Sequence, residues 1–201
     1  MNGRPRSLDV DEAVLQATVD LLATTSFAQL SIEQIARRAG VGKPAVYRRW
    51  PSKATVVADA LGRFAPVPNF DPKRDPADSL RRGLIDFAAA MIESGTAHWL
   101  YSLLGEARTD PELAEGVKAR YLAPRERIIE TAIRRCANAS AIRRDVNPGT
   151  VLSLLMGPPM HGWILTGIPP DKKQMTELVN TAWAALEPAT DQRRKHPEED
   201  L

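Results

Sequence analysis

Between Ser31 and Lys53 lie six basic side chains, Arg37, Arg38, Lys43, Arg48, Arg49 and Lys53, with two aromatics, Tyr47 and Trp50, and one carboxylate, Glu33. Cations gathered in so short a stretch attract a polyanion, and planar guanidinium groups can bond a phosphate or a base edge bidentately. The charge is local. Residues 1–65 hold nine Lys/Arg against six Asp/Glu, whereas the remainder holds eighteen against nineteen, in a 201-residue chain of formal net charge +2. A basic run is also the ordinary composition of a solvated helix face, so its meaning depends on the elements that carry it.

No other group of residues offers rival chemistry. His98, His161 and His196 have no metal-ligand spacing, no Ser–His–acid or Cys–His arrangement stands out, and there is no glycine-rich phosphate loop. We therefore expect no enzyme, no cofactor and no metal. The single cysteine, Cys136, can form no intramolecular disulfide and reads as a buried, inert thiol of a cytoplasmic protein rather than a redox sensor. The polar N-terminus lacks the apolar region of a signal peptide. From Pro148 to Pro170 there is no Asp, Glu, Lys or Arg, but Gly157, Pro158, Pro159, His161, Gly162 and Gly167 interrupt the run. That pattern fits a helix covered by protein at a subunit interface better than one covered by lipid.

The elements that position the basic residues are helices, for no period-two strand pattern is present. Asp9 and Glu12 have capping-box spacing and predict a first helix over residues 9–24, with Val14, Leu15, Thr18, Val19 and Leu22 on its apolar stripe. Ser31, with Gln34 three residues on and Leu30 and Ile35 placed as a hydrophobic staple, starts a second helix that Gly40 ends. Pro44 lies in the first turn of a third, short helix, which stops near Trp50-Pro51, and Ser52 caps a fourth. Two short helices joined through Ala39-Gly40-Val41 have the layout of a helix-turn-helix. Ile35, Ala36, Val41 and Val46 pack inside, and Lys43, Tyr47, Arg48 and Arg49 face out to phosphates and bases. The spacing of Trp50 sets it against the first and fourth helices as a core aromatic.

Residues 65–75, with Pro66, Pro68 and Pro72, mark a boundary. Beyond it, Asp75-Pro76, Asp110-Pro111 and Asn147-Pro148 each open a helix, since Asp or Asn caps and proline fills the first helical position. A segment from Pro111 to Cys136 should bend near Pro124, and a helix from Pro148 to Thr166 should kink at Pro158-Pro159. Asp171 and Gln174 start the last helix, with Met175, Leu178, Val179, Ala182 and Leu186 inside. The charged tail, residues 189–201, reads as disordered. The fold class expected is all-α, about nine helices: a head over residues 1–52, a connecting helix over 52–65, and a larger body over 66–188.

The run from Ser31 to Lys53, SIEQIARRAGVGKPAVYRRWPSK, resembles the DNA-binding region of the TetR family of bacterial regulators. The matching features are Ser31, Ile35-Ala36, Ala39-Gly40-Val41, Lys43, Tyr47, Trp50 and Ser52-Lys53. The resemblance implies that Tyr47, Lys53 and Ser31 contact phosphates, while Lys43, Pro44, Ala45 and Arg48 form the face that reads bases. Gly42 departs from the pattern, standing where the family often has a capping Ser or Thr, and Pro44 replaces a commonly small residue. For the body, the resemblance implies a ligand cavity, with Phe87, Met91, Trp99, Tyr121, Met156 and Met160 as candidate lining. Methionines and aromatics suit an apolar or amphipathic effector. The uncharged helix and the last helix resemble the family's dimerisation pair, with His161, Ile164, Leu178 and Trp183 as candidate contacts. The function implied is a cytoplasmic, ligand-responsive repressor that binds a palindromic operator in double-stranded DNA as a homodimer. The alternatives are an architectural DNA-binding protein without an effector and a small helical enzyme carrying the same head.

Overall fold

The computed structural model describes residues 5–188, and the tail expected to be disordered lies outside that range. The described residues form ten α-helices and one π-helical turn, with no strand: α1 Pro5–Leu22, α2 Ile32–Arg38, α3 Lys43–Tyr47, α4 Lys53–Phe64, α5 Pro76–Glu93, α6 Thr96–Glu106, α7 Pro111–Val117, the π turn Lys118–Leu122, α8 Ala123–Asn138, α9 Pro148–Thr166 and α10 Lys172–Ala184. Because α7, the π turn and α8 follow without a break, they count as one rod, and the described residues are all-α with nine rods, as the sequence indicated. No helix among the described residues is long and apolar enough to cross a membrane.

Two compact units result. The first holds the described residues up to Asn69 together with Asp86–Ile128; the second holds Phe70–Ile85 together with those from Ile129 onward. In the first, α4 packs on α1 and α7, and α2 packs on α1 and α3. Its core is built from Val14, Thr18 and Leu22 of α1, Ile32, Ile35 and Ala36 of α2, Val46 of α3, and Val56, Val57, Ala60 and Leu61 of α4. Buried Thr18 is satisfied by donating to the Val14 carbonyl at 2.8 Å. The second unit centres on Leu80, Leu84, Ile133, Leu155, Met175, Val179 and Trp183, all buried. There α9 packs on α10, and Arg135 of α8 donates to the carbonyls of Asp71, Pro72 and Arg74, holding the chain that leads into α5.

Capping logic placed most helix starts. Asp110 accepts from the Leu113 N–H at 2.9 Å, Asn147 from the Gly149 N–H at 2.8 Å, and Asp75 from the Asp78 N–H at 3.1 Å, in each case just before the proline-led first turn. Asp171 and Gln174 form a reciprocal capping box. The first helix is a correction. It runs from Pro5, so position 9 lies inside it rather than at its start, and Glu12 pairs with Arg63 at 3.3 Å. A proline in a first turn starts a helix at no hydrogen-bond cost, and here it outcompetes the Asp9 signal four residues on.

The bend expected near Pro124 is a change of helix type. Pro124 has no N–H to offer the Arg120 carbonyl, and its ring would crowd that carbonyl in a regular α-helix. The chain widens into the π turn just before it, where the Ala123 N–H bonds the Lys118 carbonyl five residues back. By contrast α9 passes Pro158 and Pro159 as a single element and ends at Gly167, whose φ of 69° and N–H bond to the Trp163 carbonyl close the helix. Cys136 is buried as expected: its thiol donates to the Pro76 carbonyl at 3.1 Å, and burial pushes its pKa up to about 11.

Candidate nucleic-acid interface

The local chemistry of the sequence places α3 on the surface. Ser31 accepts from the Gln34 N–H at 3.2 Å, and the Gln34 side chain accepts from the Ser31 N–H at 2.8 Å, so α2 starts on a complete capping box. The helix ends just as sharply. Gly40 takes φ 68°, its N–H bonds the Arg37 carbonyl, and the Val41 N–H reaches the Ala36 carbonyl at 3.0 Å. These paired bonds close the last carbonyls of α2 and turn the chain within two residues. A left-handed residue with a Cβ would cost about 1–2 kcal/mol there, which is why the turn carries glycine.

From this turn α3 departs with Gly42 as its N-cap and Pro44 in its first turn, and no side chain caps it. Val46 is fully buried and Trp50 nearly so. The indole N–H of Trp50 donates to Asp59 of α4 at 2.9 Å, confirming the core role read from its spacing. With Val46 and Trp50 inside, residues at helical spacing on the other side must face out. Lys43, Pro44, Tyr47 and Arg48 do so, Tyr47 with 49% of its surface exposed. Ala45 sits half-buried at the rim of that face. The structure thus brings five of the seven expected DNA-contacting residues onto one short surface.

The six basic residues fall into two kinds. Arg38 pairs with Asp20 of α1 at 2.9 Å, and the Gln16 hydrogen bond together with this pair holds the Asp20 carboxyl below its usual pKa. Arg49 turns inward to pair with Asp11 of α1 and to donate to the Ala45 carbonyl. These two serve as braces between α1 and the helix-turn-helix. Lys43 lies 3.6 Å from Glu33 while half its side chain stays exposed, and Arg48 has no ion-pair partner among the described residues. Exposed Arg37 of α2 likewise has no ion-pair partner among the described residues, and Arg48 is the one of the two that lies on the outward face of α3.

The other two expected phosphate contacts are already engaged. Lys53 donates to the Phe27 carbonyl at 2.6 Å and stands 4.1 Å from the centre of the Phe27 ring. It is half-buried and retains two further N–H donors. The Ser31 hydroxyl is used twice within the capping box, accepting from the Gln34 N–H and donating to the Gln34 side chain at 2.9 Å. The partners Phe27, Asp11, Asp20 and Asp59 went unmarked in the sequence, because nothing local distinguishes an acid that braces a distant arginine from one on a solvated face.

In the body, the six candidate pocket residues divide between the units. Phe87, Met91, Trp99 and Tyr121 are buried in the first unit, where the Tyr121 hydroxyl lies 3.6 Å from the Met91 sulfur. Burial pushes the Tyr121 pKa up to about 12. Trp99 borders a cavity of about 270 Å³ lined also by Phe27, His98, Ser102 and Leu103. Met156 and Met160 lie half-buried on α9 in the second unit. Of the candidate dimer contacts, His161 and Ile164 are exposed, Leu178 is half-buried, and Trp183 is buried within its own unit, 5.7 Å from the Arg81 guanidinium.

An all-helical fold whose short third helix offers a cationic, aromatic face beside a tight glycine turn defines a helix-turn-helix DNA-binding protein. Residues 14–60 match the family described as bacterial regulatory proteins, tetR family, and residues 75–182 match the tetracyclin repressor-like C-terminal domain. The chain belongs to the TetR family and is a DNA-binding transcriptional regulator. It is 26% identical to the HTH-type transcriptional regulator YdeS of Bacillus subtilis (strain 168), over 92% of this chain and 93% of that one. Among solved structures it is similar to the TetR family transcription regulator SCO0332, with a TM-score of 0.70 and 29% identity, covering 90% of this chain and all of the other. NalD, the secondary repressor of the MexAB-OprM multidrug efflux pump in Pseudomonas aeruginosa, shares the fold with a TM-score of 0.62 at 22% identity, over 92% of this chain and all of that one.

Proposed function

We propose that the protein is a cytoplasmic repressor that binds a palindromic operator as a homodimer and leaves it when an apolar or amphipathic effector occupies the body. The observation that carries the DNA-reading part is the single exposed face of α3, with Arg48 unpaired among the described residues. Arg48 and Lys43 read base edges, and Pro44 and Ala45 pack on a thymine methyl group. Tyr47, Lys53 and Ser31 hold the backbone, Lys53 through the donors it does not spend on Phe27. The homodimer is supported by α9, whose Leu154, Ile164 and Leu165 are exposed although the helix carries no charge. Beside them His161 and Leu178 line an open groove of about 710 Å³ between α9 and α10. The buried Met91, Trp99 and Tyr121 support the effector's apolar character.

Docking is tested by the salt dependence of binding. Lys53→Ala should lower the slope of log affinity against log salt by roughly one unit, on operator and random DNA alike. A slope equal to that of the wild type would remove Lys53 from the interface and leave it as a brace for Phe27.

A further inference from the structure

Helix α4 follows directly on the helix-turn-helix and, like α2, packs on α1, and it lies along the rod made by α7, the π turn and α8 through a series of contacts that climb both elements in step. The Ser52 hydroxyl donates to Glu112 at 2.7 Å. Next, a Cβ built on Gly116 would stand 2.8 Å from the Ala58 Cβ. Then Arg120 pairs with Asp59 at 3.1 Å, the same Asp59 that receives the Trp50 indole N–H. A Cβ on Gly62 would come to 2.8 Å from the Arg120 carbonyl oxygen, so backbone meets backbone there. Last, buried Arg125 donates to the carbonyls of Ala65 at 2.6 Å and Pro66 at 2.8 Å, just past the end of α4.

The rod's contact positions are thus 112, 116, 120 and 125: two steps of four, then one of five. An α-helix turns roughly 100° per residue, so a step of five would swing Arg125 about 140° away from Arg120 and off α4. The π turn, with its one extra residue per turn, absorbs that step and keeps Arg125 on the face that meets α4. Pro124 enforces it, since it cannot supply the N–H that an α-helical turn would send to the Arg120 carbonyl. That carbonyl is the one that Gly62 allows to approach. A hollow of about 330 Å³, lined by Asp59, Gly62, Ala119, Arg120 and Pro124, lies at the same junction and leaves room for the register to change.

We propose that Gly62 and Pro124 are positioning residues for DNA reading: through the π turn they fix where α4, with α2 and α3, stands on the α7–α8 rod, and so set the half-site spacing that the dimer accepts. The proposal rests on the reading of a dimer on a palindrome. It goes further in assigning the spacing to one backbone contact and one proline, neither of which touches DNA.

The test is a selection from a library of palindromes whose half-site spacing varies, run on the full-length wild type, Gly62→Ala and Pro124→Ala. An alanine in α4 favours the helix by propensity, so Gly62→Ala should keep the head folded while pushing α4 off the Arg120 carbonyl. Pro124→Ala restores the missing N–H and lets the turn take α register. Each variant should lose about tenfold in affinity for the wild-type operator and select a different spacing, with affinity for random DNA unchanged. Wild-type spacing in the variants, or an equal loss at every spacing, would mark a merely structural role and overturn the proposal. Should Gly62→Ala not fold, the spacing that Pro124→Ala selects decides. A wild type that selects no palindrome at all would instead remove the dimer reading, and the proposal with it.

Discussion

Helices α4 and α9 are both rich in small and aliphatic residues, yet they are used in opposite ways. Of the twelve residues of α4, Ala54, Val56, Val57, Ala58, Ala60 and Leu61 are buried within the chain, and its few polar groups are spent on defined partners. Helix α9 carries no charged residue, but it buries Val151 and Leu155 and leaves Ile164 and Leu165 60% and 70% exposed. A helix that is apolar on one stripe finds its core inside its own chain; one that is apolar all round needs a second surface. The comparison separates a helix whose apolar residues are covered within the protomer from one on which the proposed homodimer would draw.

Breaking the second half of that comparison should have the largest effect. Ile164→Glu with Leu165→Glu would place two charges in each apolar face, and the dimer dissociation constant should rise by about a hundredfold or more in sedimentation equilibrium, with the monomer still folded. An unchanged dimer would move the interface elsewhere. On α3, Arg48→Ala should cost about 1–3 kcal/mol at the operator and little on random DNA, as read by competition binding. Equal losses on both would make Arg48 a backbone contact.

Smaller effects sharpen the account of the head. Gly40→Ala should destabilise it by about 1–2 kcal/mol in thermal or denaturant unfolding, since φ is 68° and the space around it is open, leaving strain as the only cost. The smallest change should be a gain. Gly42 has an ordinary extended backbone, and a Cβ would meet only Pro44 at 3.7 Å, so Gly42→Ser can cap α3 and stabilise the protein by a few tenths of a kcal/mol. A gain in thermal stability accompanied by a loss of operator affinity would show that the glycine is there for the approach of DNA, whereas a loss of stability would show that the new serine does not cap α3.

What the sequence disclosed was whatever local chemistry decides. Ser31, Gly40, Ser52 and Asp171 act where their residue types say they should, because a cap or a left-handed turn involves only the next few residues. The burial of Trp50 followed from periodicity for the same reason. Two kinds of feature stayed hidden. Asp9 looked like a cap but lost to Pro5, since two start signals a few residues apart compete and only the longer helix shows the winner. The π turn could be sensed at Pro124 as a bend, but the contacts beside it, Gly62 against the Arg120 carbonyl and Arg125 with the carbonyls of Ala65 and Pro66, join residues far apart in the chain that no short-range pattern links. The ion pairs of Arg49 and Arg38 with α1 are equally non-local, which is why Arg49 read as facing out with Arg48 in the sequence.

The most direct test of the central claim is a selection of the purified protein against random duplex DNA at fixed, moderate salt. The account predicts a palindrome with two half-sites, bound by one dimer, in which Arg48→Ala relaxes the preference at a defined base pair. A single, asymmetric site bound by one protomer, or no enrichment over random DNA, would contradict it.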